Sequence, residues 1–117
     1  MENFCNIKRE ILIKNLTNEQ PKYEYQVVVD RTSVLGNPFR MQSESQREEV
    51  CLKYEKWFYS QVENKDTLFM QELSKLVAIY AKYNKLELFC WCYPKKCHAE
   101  IIKNYIQDKV NNLIFNL

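Results

Sequence analysis

Residues 90–98 read CWCYPKKCH and place three of the chain's five cysteines beside its single histidine. Thiols next to an imidazole suggest a soft-metal site, a nucleophile with its base, or a redox site. The metal reading takes Cys90, Cys92, Cys97 and His98 as a C-x-C-x4-C-H set for zinc. If 86–92 is a strand, Cys90 and Cys92 share one face about 7 Å apart, too wide for one tetrahedron unless the strand bends. Cys97 and His98, adjacent at a helix start, diverge by roughly a hundred degrees. The competing reading makes Cys90 and Cys92 small buried apolar residues. The nucleophile reading takes Cys97, in a first helical turn flanked by Lys95, Lys96 and His98. The helix N-terminus and the cations would both lower its thiol pKa, and His98 would be the acid or base. Its counterpart is a packed, inert Cys97 with His98 capping the helix or lining a pocket.

A second polar cluster lies far upstream, in RTSVLGNPF at 31–39. Arg31 suits bidentate grip of a phosphate or carboxylate, and Asn37 offers a donor and an acceptor. Gly36 is the only glycine, so backbone there needs either positive φ or close approach. Ser33 adds a hydroxyl. Trp91 or Phe39 would stack on a base, and Arg47, opening the first long helix, would reach back over the loop. The amides opening the last helix, with Lys95 and Lys96, make a second anion-friendly surface. The competing reading pairs Arg31 with Glu48 or Asp30 and makes G-N-P-F a rigid turn that plugs Phe39 into the core. G-N-P-F is neither a Walker loop nor a dinucleotide fingerprint, so the phosphate ligand is not specified.

These segments carry a resemblance. RTSVLGNPF at 31–39, REEVCLKYEKWF at 47–58 and CWCYPKKCHAEII at 90–102 are similar to domain-of-unknown-function family 4326. Its members are small bacterial and phage proteins sharing R-x-S-x-x-G-N-P-F and C-W-C-x-P-x-x-C-H-[AG]. The resemblance covers roughly residues 25–106 and leaves 1–22 outside it. It implies a small α/β domain whose functional region is built from the two segments, and it supplies no reaction. Ala99 stands where many members have glycine.

The elements that must position these residues follow from periodicity. IKREILIKN (7–15) partly alternates and YEYQVVVD (23–30) is β-branched and aromatic, so both read as strands that would pair as an antiparallel hairpin. A long irregular loop follows, and loops of that length are often functional. Ser45 with Glu48 fits a capping box. Val50, Tyr54, Trp57 and Phe58 then make an apolar helical stripe. A second helix from Asp66 or Thr67 buries Phe69, Leu73, Leu76, Val77 and Tyr80 and ends at Asn84. LELFCWC reads as an interior strand with Phe89 and Trp91 covered on one face. The last helix starts between Lys95 and His98 and carries Ile101, Ile102, Tyr105, Ile106 and Val110. The order β-β-α-α-β-α specifies an α/β fold, a small mixed sheet covered by helices in a Rossmann-like two-layer or three-layer arrangement. If 23–30 and 86–92 are parallel neighbours, the 31–39 loop and the 92–98 turn meet at one sheet edge, where open α/β sheets place ligands.

The 117 residues fit a single α/β domain, 1–117. A net charge of +2 is too small to indicate nucleic acid or a membrane surface. No apolar run is long enough to span a bilayer, and MENFCNIKRE lacks a signal-peptide layout, so the expected location is cytoplasmic, in the host cytoplasm if the chain is phage-encoded. There the cysteines stay reduced. The preferred reading is a cleft between the 31–39 loop and the 92–98 turn that binds a small phosphate-bearing ligand or nucleotide. Arg31, Ser33, Gly36, Asn37, Trp91 and Arg47 would bind it. Hydrolase or transferase chemistry would fall to His98 and Cys97. No cofactor is expected. The alternatives are a phage counter-defence protein that inhibits a host protein through a surface patch without turnover, and a structural zinc domain.

Overall fold

The computed structural model describes residues 8–115. The chain runs β1 (Glu10–Asn15), β2 (Gln26–Val28), α1 (Arg47–Asn64), α2 (Thr67–Tyr83), β3 (Lys85–Cys90) and α3 (Ala99–Phe115), the α/β order expected from the sequence. The sheet order is β1-β3-β2. Ile11 lies opposite Leu86, Ile13 opposite Leu88, and Val27 opposite Leu88 from the other side, all in parallel register. The antiparallel hairpin therefore does not form, and both pairings of the expected mixed sheet are parallel. LELF is the most apolar strand segment, and the centre of the sheet is the position that buries it on both faces. The first two strands flank it, and the 16–25 connection carries the chain between the two edges.

Side-chain alternation sorts the sheet into two faces. Ile11, Leu86, Leu88 and Cys90 join one apolar cluster with Tyr54 and Phe58 of α1, Leu73 and Leu76 of α2, and Ile102 and Ile106 of α3. All three helices thus draw on the same face, which selects the two-layer arrangement. On the opposite face Phe89 and Glu87 are buried. Glu87 is held by Gln26 Nε2 at 2.9 Å, Lys85 at 3.4 Å and Lys14 at 3.6 Å.

The second helix starts at Thr67 with Asp66 as its cap, accepting the Phe69 amide at 3.1 Å, and Asn84 ends it as expected, in the left-handed region at φ 56°. The Ser45–Glu48 capping box does not form. Residues Glu44–Gln46 make a short 3-10 turn, and α1 begins at Arg47 with no side-chain cap. Arg47 instead clasps Glu44 at 2.9 and 2.8 Å, closing the turn with a two-point ion pair. Trp91 was expected inside a strand, but β3 stops at Cys90 and Trp91 is 59% exposed. Among the described residues, no helix is long and apolar enough to cross a membrane.

Candidate functional site

Because β2 and β3 are parallel, both end at the same edge, and the loops that follow them converge there. Between them lies a cavity of about 320 Å³. The loop after β2 contributes Asp30, Arg31 and Asn37. The approach to α1 contributes Met41, Arg47, Val50 and Cys51. The turn before α3 contributes Trp91, Cys92, Lys96, Cys97 and His98. Six of the eight residues given binding or catalytic roles therefore meet in one hollow, Arg31, Asn37, Arg47, Trp91, Cys97 and His98, together with Cys92 of the metal set. Ser33 and Gly36 do not line it. Ser33 faces a separate groove beside β2, its Oγ accepting the Leu35 amide at 3.1 Å. Gly36 acts by absence: a Cβ there would overlap the Asp30 carbonyl and lie 2.7 Å from Arg31 Cα. The glycine requirement is close backbone approach, with no positive φ.

Arg31 pairs with neither Glu48 nor Asp30. Its guanidinium donates to the carbonyls of Asn37 and, at 2.9 Å, Phe39, stapling its own loop. Among the described residues it has no carboxylate partner, so its charge is uncompensated. Asn37 is buried, and its Oδ1 accepts the Phe39 amide at 2.8 Å. Its side-chain NH2 has no partner among the described residues. Phe39 is half-buried and does not plug the core. Asp30, which closes β2, accepts the Thr32 amide at 2.9 Å and the Trp91 indole N–H at 3.0 Å. Burial would raise its carboxyl pKa, but the hydrogen bonds from Thr32 and Trp91 outweigh burial and hold it below the usual range.

His98 bridges the two loops. Its Nε2 lies 2.5 Å from the Val29 carbonyl and its Nδ1 3.4 Å from Cys97 Sγ, with the ring edge-on to Tyr54 at 5.1 Å. A carbonyl only accepts, so Nε2 carries the proton and the Nδ1 lone pair faces the sulfur. Burial lowers the imidazole pKa and keeps it neutral. Arg47 ties α1 to the turn, its remaining N–H reaching the Lys96 carbonyl at 3.0 Å.

The sulfurs depart from expectation. Cys97 is buried, with the Cys90 and Cys92 thiols as neighbours and His98 Nδ1 3.4 Å from its sulfur. The neighbouring Cys90 and Cys92 sulfurs, then burial, push its pKa up, the opposite of the activation expected from a helix N-terminus and two lysines. Cys92 moves down, first through the neighbouring Cys97 thiol and then through the Arg47 guanidinium, against its own burial. The chain does bend after Cys90, and Cys92 and Cys97 line the same hollow. Even so, among the described residues no group of three or more His, Cys, Asp or Glu is arranged to hold a metal ion.

The motifs pass over Asp30, Met41 and Cys51 as lining residues. Asp30 carried a legible signal, a carboxylate closing a strand at the ligand-bearing edge. Asn15 had none. From the end of β1 its Nδ2 donates to the Trp91 and Tyr93 carbonyls at 3.3 and 2.7 Å, fixing the turn that presents Cys92. Compared with known families, the chain matches the one described as Domain of unknown function (DUF4326) over residues 13–108, which reaches into β1 and so starts earlier than the motifs suggest. No curated protein and no solved structure matches.

Proposed function

The chain belongs to the DUF4326 family, and from that premise we propose that the cavity binds a small phosphate-bearing or nucleotide-derived ligand. The observation that carries this reading is the pairing, in one hollow, of the uncompensated Arg31 charge with the unpartnered NH2 of buried Asn37. That NH2 opens on the hollow without an acceptor among the described residues, so it is available to donate to a ligand oxygen. Trp91 lines the same hollow, largely exposed and able to stack on a base. A volume of about 320 Å³ lies within the range of small-molecule sites. In the hydrolase or transferase form of the reading, the acid–base group is His98, acting through its Nδ1.

The test is isothermal titration calorimetry with nucleoside mono-, di- and triphosphates and inorganic phosphate at low salt. Asn37→Asp keeps the acceptor for the Phe39 amide while replacing the free NH2 with a like charge to phosphate, so affinity should fall at least about tenfold. Trp91→Ala should cost about 1–3 kcal/mol if a base stacks there. Absence of heat with every phosphate compound, on protein that melts normally, would overturn the reading.

A further inference from the structure

We propose that Cys92 is a thiol-modification site in this cavity, reacting with hydroperoxides and other small soft electrophiles, and that Cys97 is its resolving thiol. Three cysteines line the hollow, but only Cys92 is part-exposed, while Cys51 and Cys97 are buried. The Arg47 guanidinium and the Cys97 thiol line the same hollow as the Cys92 sulfur, and both lower its pKa, the surroundings that favour a thiolate. The turn bearing it is rigid: Asn15 holds the carbonyls on either side, and the Lys95 amide closes onto the Cys92 carbonyl at 2.9 Å. Cys97 in turn faces the Nδ1 lone pair of His98, whose other nitrogen is anchored on Val29. That is a thiol, a base and an orienting group in line. Cys51, by contrast, is pushed up by burial.

The chemistry balances with a hydroperoxide as oxidant. The Cys92 thiolate attacks the terminal peroxide oxygen, the O–O bond breaks, and the alkoxide or hydroxide leaves and takes up a proton. Cys92 is then a sulfenic acid, its sulfur oxidised by two electrons and the peroxide reduced. His98 Nδ1 takes the Cys97 proton. Cys97 sulfur displaces the hydroxyl, which departs as water with that proton, and an S–S bond joins the end of β3 to the start of α3. This inference does not depend on the phosphate-ligand reading.

Peptide mass mapping of the full chain tests it. Under native conditions at neutral pH, iodoacetamide should label Cys92 at least about tenfold faster than Cys51 or Cys97. One equivalent of hydrogen peroxide should give a Cys92–Cys97 linked peptide. Cys97→Ser should stop at a Cys92 sulfenic acid that dimedone captures, and Arg47→Gln should slow the labelling. Should Cys97→Ser fail to fold, the wild-type labelling and linkage maps decide alone. Equal labelling of Cys92 and the buried cysteines, or peroxide that leaves Cys92 and Cys97 as thiols or links a different pair, would overturn the proposal.

Discussion

His98 holds two loops together through one ring, so its protonation state is also a statement about stability. Burial is the leading cause of its lowered pKa. The Arg31 charge adds to that, while Cys92, Asp30 and the Val29 carbonyl oppose it. A group whose folded pKa is depressed contributes in full above its unfolded value, about 6.5 for histidine, and loses that contribution as pH falls through the folded value. His98→Gln keeps an N–H within reach of Val29 and cannot titrate. Melting temperatures taken from about pH 7.5 to about pH 5 should therefore fall more steeply for the wild type than for His98→Gln. Parallel profiles would mean that the imidazole does not sense this pH range in the fold. The carboxylates Asp30 and Glu87, both held low, enter only in more acid solution.

The element that shapes the site is the loop between β2 and α1. It is irregular but not loose. Arg31 staples its far end, Asn37 closes a local turn on Phe39, and the Leu35 carbonyl accepts the Tyr54 hydroxyl of α1 at 2.6 Å. Gly36 lets this loop fold against its own beginning. Gly36→Ala drives a methyl into the Asp30–Arg31 backbone. Overpacking against backbone, with no flexible side chain to yield, should destabilise by about 1–3 kcal/mol in urea titration. The same change should weaken any ligand that contacts Arg31, since the displaced backbone carries that residue. An unchanged urea midpoint would mean that the loop can open there at no cost.

For the molecule as a whole, stability rests on the central strand. Leu88 is fully buried and registers with Ile13 of β1 on one side and Val27 of β2 on the other. It also belongs to the cluster shared by all three helices. Leu88→Ala should cost about 2–5 kcal/mol, the range for a buried leucine whose surroundings relax only in part. Because one cluster serves every element, the loss should appear as a single cooperative transition by both far-ultraviolet circular dichroism and tryptophan fluorescence. Two separated transitions would show that the helices and sheet unfold apart.

Local patterning in the sequence was enough to specify the helix faces, the start of α2 at Asp66 or Thr67, the Asn84 stop and the interior strand LELF, because each is written in side chains close together along the chain. The two motifs also named most of the cavity wall. Tertiary structure alone decided which strands pair and in which direction, since pairing partners compete through contacts distant in sequence. It decided the helix start as well, where an Arg47–Glu44 clasp displaced a capping box. It also reversed the roles of the sulfurs. Helix position and neighbouring lysines favoured Cys97, but the adjacent sulfurs and burial outweighed both, while Cys92 shares the hollow with Arg47. A thiol's reactivity depends on which groups surround it in space, and that arrangement exists only once the parallel register brings β1, β2 and β3 to one edge.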